Sequence, residues 1–227
     1  MQTSVAEKVY SNEGNAPVVD LVDRNAVTVL DVGCGAGDNA ALLRRRDPGK
    51  KIFGVTGSPA ESQLAARHLD GCWVADLELD LPEDLENSRF DCIVFSHVLE
   101  HVRDPAALLS RFAGMLSPGG SCVIAVPNVL NWRERMHFLR GRFEYQETGV
   151  LDATHLRFFT YRTAVPLLLG RAAELRVEHV GVTGHLPLSR LRRILPSRVC
   201  DRLDAIGCAR WPNLIGWQIL IKARRDL

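Results

Sequence analysis

The side chains with most scope for chemistry fall into four short strings. His97 and His101 flank Glu100, and Asp152, Thr154 and His155 form the densest polar cluster in the second half of the chain. Imidazole, with an ordinary pKa of about 6.5, can take a proton near neutral pH, so these histidines are candidates to deprotonate a hydroxyl. His97, Glu100 and His101 could also hold a divalent ion. A third string, Asp31-Val-Gly-Cys-Gly-Ala-Gly37, ends an apolar run with glycines at alternate positions. Gly33, Gly35 and Gly37 permit positive φ and remove the side chains that would keep a ligand off the backbone. The carboxylate of Asp31 suits a positively charged ligand and would repel a pyrophosphate. The fourth string places Thr56, Ser58 and Glu61 after another apolar run, with Asp76 after a third. Each has a structural alternative: Asp31 as a cap on the glycine turn, His101 as packing at a helix start, and Asp152 to His155 as a cap leading into Phe158-Phe159.

These strings recur at the ends of apolar β-prone runs. The pattern predicts strands at Val27 to Asp31, Lys51 to Thr56, Cys72 to Ala75, Phe90 to Phe95 and Ser121 to Val126. Helices are expected through Ala40, Leu42, Leu43 and Arg46, through Leu64, Ala65 and Leu69, and from Asp104-Pro105 to about Met115, a capping carboxylate followed by proline. Asp76 to Ser88 is turn-rich and acidic. Strands alternating with helical segments in this way predict a parallel α/β sheet whose ligands sit at the strands' carboxyl ends. Beyond it, Asn131 to Gly141 reads as helix, Thr160 caps a helix weakened by Pro166 and Gly170, and Leu175 to Val182 and Trp217 to Ala223 read as strands. The insert Leu186 to Trp211 reads as one or two helices, and Asn15 to Asn25 as the lead into the first strand.

Composition narrows the field. Of 227 residues, 46% are hydrophobic and 24% charged, values of a globular protein able to bury a full core, and a net charge of +1 argues against wholesale nucleic-acid binding. The six cysteines form no Cys-x-x-Cys pair and several fall in buried-looking strands, so they read as reduced packing residues of a cytoplasmic protein. No apolar run approaches the roughly 18 residues of a membrane span.

Three strings, correctly ordered and spaced, carry a family resemblance. Val29-Leu-Asp-Val-Gly-Cys-Gly-Ala-Gly37 resembles the first motif of class I S-adenosylmethionine (SAM) methyltransferases, Asp/Glu-x-Gly-x-Gly-x-Gly. Phe95-Ser-His-Val-Leu-Glu-His-Val-Arg-Asp-Pro105 resembles their motif after the fourth strand, and Leu116-Ser-Pro-Gly-Gly120 their turn before the fifth. The resemblance implies an α/β, Rossmann-like, seven-stranded mostly parallel sheet with helices on both faces and a helical acceptor-side lid. It implies one methyltransferase domain over 1–227: an arm at 1–26, a SAM-binding core at 27–126, an acceptor-side region at 127–174, and C-terminal strands at 175–227 with the helical insert at 186–211. Cofactor contacts would come from Asp31, Gly33, Gly35 and Gly37, from Thr56 and Ser58 at the ribose, from Asp76 and Leu77 at the adenine, and from Ser96 and His97 at the methionine moiety. The family normally places an acid where Thr56 stands, so Ser58 and Glu61 would have to help or binding would be weaker. By the same resemblance His101 is the first candidate base, with His155 and Asp152 beside the acceptor. His97, Glu100 and His101 are also similar to the Glu-x-x-Glu-His ligands of methyltransferases acting on catechols or RNA ends, but the first position here is His, and no metal is assigned.

The segments Val126 to Trp132, Leu139 to Tyr145 and Leu151 to Thr160 look like the acceptor-side region of a bacterial subfamily linked to surface-polysaccharide pathways, with MetW-like proteins as looser relatives. That implies transfer of a methyl group to a hydroxyl of a small molecule, a sugar, glycan or sugar nucleotide. Trp132, Phe143 and Tyr145 would offer flat faces, and Arg133, Arg140, Arg142 and Arg157 forks for phosphate. N-methylation of an amino sugar or small amine, or a regulatory protein binding SAM weakly, are the alternatives. The basic amphipathic pattern over Leu186 to Leu203 suits the domain's own core, a second copy in a homodimer, or an anionic membrane surface.

Overall fold

The computed structural model describes residues 13–189 and 191–226. Met1 to Asn12 of the expected arm, and Arg190 of the basic insert, lie outside the described residues. Seven strands, β1 (Thr28–Val32), β2 (Lys51–Thr56), β3 (Gly71–Val74), β4 (Phe90–Ser96), β5 (Leu116–Pro127), β6 (Leu175–Gly184) and β7 (Gly216–Arg225), form one sheet in the order β3-β2-β1-β4-β5-β7-β6. The first five pair in parallel, and β7 runs antiparallel to both β5 and β6. The class is therefore the expected Rossmann-like α/β fold. Strands at the centre of such a sheet are covered on both faces, which is why Val29, Leu30 and Val32 of β1, and Cys92 to Phe95 of β4, are uniformly apolar apart from Asp31 and are all buried.

Two core layers follow from that. One face packs Leu30, Phe95 and Ile124 against Leu109 and Phe112 of α5 (Pro105–Ala113), Leu85 of α4 (Glu83–Glu86) and Leu168 of α7 (Ala164–Leu169). The other packs Val29, Ile52, Val94 and Val123 against Val18 and Val19 of α1 (Ala16–Leu21), Ala40 and Leu43 of α2 (Asp38–Arg46) and Ala65 of α3 (Pro59–Ala65). Caps set where the helices start. The Ser58 hydroxyl accepts from the Glu61 N–H at 3.2 Å, the Asp104 carboxylate from Ala107 N–H at 3.1 Å, and the Asn131 side chain from Arg133 and Glu134 N–H ahead of α6 (Trp132–Leu139).

The structure departs from expectation in the irregular parts. The stretch before β1 is a helix, α1, because Pro17 and the pair Val18-Val19 bury an apolar face on the sheet. The insert is helical as expected, with Pro196 dividing it into a 3-10 turn at Leu191–Arg193 and α8 (Ser197–Arg210), and α9 (Pro212–Ile215) follows. Arg192 turns inward onto Asp204, so the basic stripe that would meet an anionic membrane is broken. Among the described residues no helix is long and apolar enough to cross a membrane. Thr160 does not cap α7 directly; that place belongs to Thr163, whose N–H donates to the Thr160 hydroxyl at 3.2 Å. On the acceptor side α6 and α7 are joined by a turn-rich segment, 140–163, with isolated bridges at Gln146–Asp152 and Asn128–Phe159.

Cations pin the connection from α1 into β1. The buried ammonium of Lys50 donates to the carbonyls of Asp23 (3.0 Å), Arg24 (2.9 Å) and Ala26, while Lys222 and Arg224 of β7 hold the Asp23 carboxylate. Replacing Lys50 by Met would take the ammonium from the buried Ala26 carbonyl and the part-buried Arg24 carbonyl, while the Asp23 carbonyl keeps the Ala26 N–H at 3.2 Å. Lys50→Met is expected to cost about 2 kcal/mol in urea unfolding, within the usual ~1–3 kcal/mol for such a loss.

Candidate active site

The carboxyl edge of the sheet opens into two adjoining cavities. The first, about 980 Å³, lies over β1, β2 and β4 and is lined by Asn15, Gly33, Gly35, Thr56, Glu61, Asp76, Leu77, Ser96 and His97, among others. The second, about 800 Å³, lies toward β5, β6 and β7 and is lined by Glu100, Asp152, His155, Thr183, His185, Asp204 and Trp217 among others. Pro17, His97, His101 and Gln218 line both and form the wall between them. Antiparallel β7 explains the reach of Gln218: pairing Pro127 with Gln218 puts the start of β7 beside the end of β5.

The wall is held by hydrogen bonds from distant parts of the chain. Asn15 and Gln218 exchange side-chain amide bonds at 2.8 and 3.1 Å, and Asn15 also donates to the Ser96 hydroxyl at 3.2 Å. The Gln218 oxygen, whose amide nitrogen also donates to Thr183, accepts from His97 Nε2 at 2.9 Å, and His97 Nδ1 meets Glu100 Oε1 at 3.2 Å. His97 takes a left-handed backbone, φ 57°, at the turn out of β4. Burial pushes its pKa down, but the Glu100 carboxylate and Gln218 together outweigh that and raise it. A ring donating from both nitrogens fits that direction.

His101 and His155 sit edge to face, ring centroids 4.7 Å apart. The Thr154 hydroxyl donates to Asp152 Oδ1 at 2.6 Å, so its oxygen is left to accept from His101 Nδ1–H at 3.0 Å. His155 Nδ1 lies 3.0 Å from the Val150 carbonyl, which can only accept. Both tautomers are assigned by these partners, and both place the free lone pair on Nε2. Burial lowers the pKa of His101, with Glu100 opposing and His155 adding to the shift. The expected trio His101, His155 and Asp152 is thus brought together, with Asp152 acting through Thr154.

In the first cavity the residues sort differently. Gly33 (φ +71°) is required by packing, since a Cβ there would meet Val98 at 2.4 Å, and Gly37 (φ +86°) abuts Ala65. Gly35, at φ +51°, lines the cavity with Cys34. Asp31, Gly37 and Ser58 do not line it, a correction to their reading as direct contacts: Asp31 is 1% exposed beneath the turn, and Ser58 is spent as the α3 cap. Thr56 does line it, and its hydroxyl donates to Glu61 Oε2 at 2.6 Å. A carboxylate from the first turn of α3 therefore stands beside the end of β2. Asp76 also lines the cavity, with its carboxylate accepting from Glu78 N–H at 2.9 Å. Asn15, Gln218, Thr183, His185 and Trp217 were missed by reading the sequence; only contact across the sheet reveals them.

A model of a methyltransferase domain family matches residues 11–179. The chain belongs to this methyltransferase family. It is 30% identical over 142 residues to trans-aconitate 2-methyltransferases of Shigella flexneri (serotype 5b, strain 8401) and Escherichia coli (strain K12 / DH10B), covering 61% of this chain. The chain thus spans about half, 55%, of the length of these curated relatives. By fold it is similar to a SAM-dependent methyltransferase from Archaeoglobus fulgidus (TM-score 0.57, 18% identity, 89% of this chain and 87% of that one). It is also similar to the O-methyltransferase of a trans-AT polyketide synthase multienzyme of Brevibacillus brevis solved with S-adenosylhomocysteine (TM-score 0.53, 18% identity, 93% and 71%). S-adenosylmethionine, on which the Archaeoglobus fulgidus protein depends, is the molecule to set against the first cavity.

The first cavity suits that molecule. Both oxygens of Asp31 lack a hydrogen-bond partner. Burial raises the Asp31 pKa to about 7, with Cys72 and Asp38 adding to the shift; the Asn39 side chain, outside hydrogen-bonding geometry, offsets it in part. A buried carboxylate with no partner is a site of negative potential that a bound α-ammonium would relieve. Because the folded pKa lies above the ordinary 3.8, folding takes up a proton between the two values. This group's contribution to stability is therefore greatest below pH 4 and falls as pH rises to about 7. SAM affinity measured by calorimetry is accordingly expected to rise about tenfold from pH 6 to pH 8 with proton release, and Asp31→Asn to flatten that slope. Gly35→Val, which puts a β-branched side chain at positive φ beside the cavity, is expected to abolish binding of SAM and S-adenosylhomocysteine in the same assay.

Proposed function

We propose that this chain transfers a methyl group from SAM to a hydroxyl of a neutral, polyhydroxylated small molecule of sugar size held in the second cavity. The observation that carries this reading is the lining of that cavity. It meets the first at His101, and its charged residues are the acids Glu100, Asp152 and Asp204, with no Lys or Arg among the lining residues. A tricarboxylate such as trans-aconitate would meet those acids with no guanidinium in the lining, and the Arg192 guanidinium behind it is spent on Asp204. The relatives bearing that name therefore inform the reaction class and not the acceptor. Trp217 offers an aromatic face, set edge-on to His185 at 5.5 Å, against which the apolar face of a sugar ring can stack.

The same lining corrects the phosphate-binding expectation for a sugar nucleotide. Arg133, Arg140, Arg142 and Arg157 do not line either cavity; Arg140 donates to the Met136 carbonyl and Arg157 to those of Leu156 and Arg103. Phe143 and Tyr145 are exposed and pack on each other and on Phe138, and Trp132 borders a separate small groove. The weak-binding regulatory alternative drew on Thr56 and the MetW resemblance, and Glu61 beside Thr56 favours the enzymatic reading over it.

When bound, SAM supplies a methyl group on a sulfonium, whose sulfur keeps the bonding pair as the acceptor oxygen takes the carbon. The protein's part is alignment and proton removal. Thr154 and Asp152 hold the His101 ring so that Nε2 faces the junction of the cavities, where it takes the hydroxyl proton. His97, bonded on both sides, holds Glu100 and Gln218 in the wall.

A mass-spectrometric screen of sugars, amino sugars and trans-aconitate for a methylated product tests the acceptor class. Products from trans-aconitate but from no hydroxylated compound would overturn it, and products from amino sugars alone would replace O- by N-methylation. His101→Ala is expected to leave SAM binding intact and slow transfer by about 100-fold, the usual scale of a lost general base.

A further inference from the structure

We propose that Glu100, His101 and His155 form a binding site for a first-row divalent cation at the junction of the two cavities. The proposal deepens the hydroxyl-transfer reading, on which its catalytic meaning rests. One ligand atom from each of the three residues lies within 4.8 Å of the other two. A tetrahedral ion with bonds of about 2.1 Å would draw them to roughly 3.4 Å apart, a movement within reach of side-chain rotation.

Every member is oriented by a second group, and each orientation leaves a lone pair unused. Thr154, itself donating to Asp152, takes the His101 Nδ1–H; the Val150 carbonyl takes the His155 Nδ1–H; His97 holds Glu100 Oε1. What remains is Nε2 of each imidazole and Glu100 Oε2, which is fully enclosed and has no hydrogen-bond partner. Glu100 is 1% exposed and His155 9%. Two imidazoles and a carboxylate with ligand atoms within 4.8 Å of one another, in a largely buried wall, are eased by something positive between them. Lining of both cavities by His101, and of the second by Glu100 and His155, leaves the ion's other positions open to the acceptor. Outer partners that fix ring orientation and tautomer are the usual companions of metal-bound histidine.

Two imidazoles and one carboxylate select Mn²⁺, Fe²⁺, Co²⁺ or Zn²⁺ over Mg²⁺ or Ca²⁺, which prefer oxygen. An acceptor hydroxyl would be a further ligand, and the charge of the ion would lower its pKa. In the ion-loaded protein His101 is a ligand and the hydroxyl proton leaves to solvent water, whereas in the ion-free protein His101 takes it; in both the same O–C bond forms and the same S–C bond breaks. The sequence reading assigned no metal because the first of the spaced set His97, Glu100 and His101 is His where the similar motif has Glu. In the structure His97 spends both nitrogens elsewhere, and His155 stands in the third place.

Cobalt titration of the metal-stripped full chain tests the site without any acceptor. One equivalent of Co²⁺ is expected to bind at micromolar or lower concentration with visible d–d absorption. Glu100→Gln and His155→Ala should each weaken it by about 100-fold or more, Thr154→Val by about 10-fold to 100-fold through loss of orientation, and exposed His179→Ala not at all. S-adenosylhomocysteine binding by each variant reports that the fold is kept. No cobalt binding by wild type below about millimolar, with S-adenosylhomocysteine still bound, would overturn the proposal and leave the methyl-transfer reading standing. Cobalt binding indifferent to Glu100→Gln and His155→Ala would place the ion elsewhere and overturn it as well. Loss of S-adenosylhomocysteine binding by wild type would count against the cofactor site alone.

Discussion

Both ring nitrogens of His97 are engaged, one by Glu100 and the other by Gln218, and the two cavities owe their separation to that bridge. The residue pays with a left-handed backbone, which non-glycine side chains adopt at a cost of order 1 kcal/mol or more. What the turn achieves is direction: it swings the chain out of β4 so that Glu100 and His101, in a single 3-10 turn, face the junction. Gln218 is in turn held by Asn15 and Thr183, so the bridge spans the start of the described chain, the end of β4, and both antiparallel-paired strands. Loosening any of these would let the wall open and turn Glu100 and His101 away from the junction.

Electrostatics divides the work of the two cavities. Beneath the first sits an unpartnered Asp31, and along its rim lie Glu61 and Asp76, so a cationic cofactor meets negative potential on several sides. The second is also acidic, but its acids are committed. Glu100 is tied to His97, Asp152 to Thr154, and Asp204 to Arg192, His185 and the Leu186 N–H. Oxygens engaged in this way demand no charged acceptor, while Glu100 Oε2 is left for the proposed cation. The cationic side chains meanwhile serve the scaffold: Lys50, Lys222 and Arg224 fasten the entry to β1, and Arg44 joins α2 to Asp70 and the carbonyl of His68.

The first half of the chain was legible because its signals are local. Apolar runs gave β2 to the residue and β1 and β4 within one, and Asp104-Pro105 marked the start of α5 correctly. Gly33, Gly35, Thr56, Asp76, Leu77, Ser96 and His97 all line the expected cavity because parallel strands deliver their carboxyl ends to one edge. The errors share a cause. Ser58 looked like a ligand contact, but helix capping claims its hydroxyl first, and Glu61, one turn later, comes back to Thr56. The aromatic and arginine groups of 132–157 looked like an acceptor surface, yet composition does not say which way a turn-rich segment points.

Alternation of hydrophobic character, glycine spacing and caps act over a few residues, so the sequence by itself determined the sheet, the glycine turn under the cofactor, and the set of histidines and carboxylates available for chemistry. Which of those groups meet is set by contacts spanning up to two hundred residues. His155 joining Glu100 and His101, Gln218 arriving on a reversed strand, and Asn15 closing over Ser96 each depend on strand order and on a hydrogen-bond network that exists only when the chain is packed. A tautomer, and with it the direction of a lone pair, is a property of that network, and so only the tertiary structure could decide it.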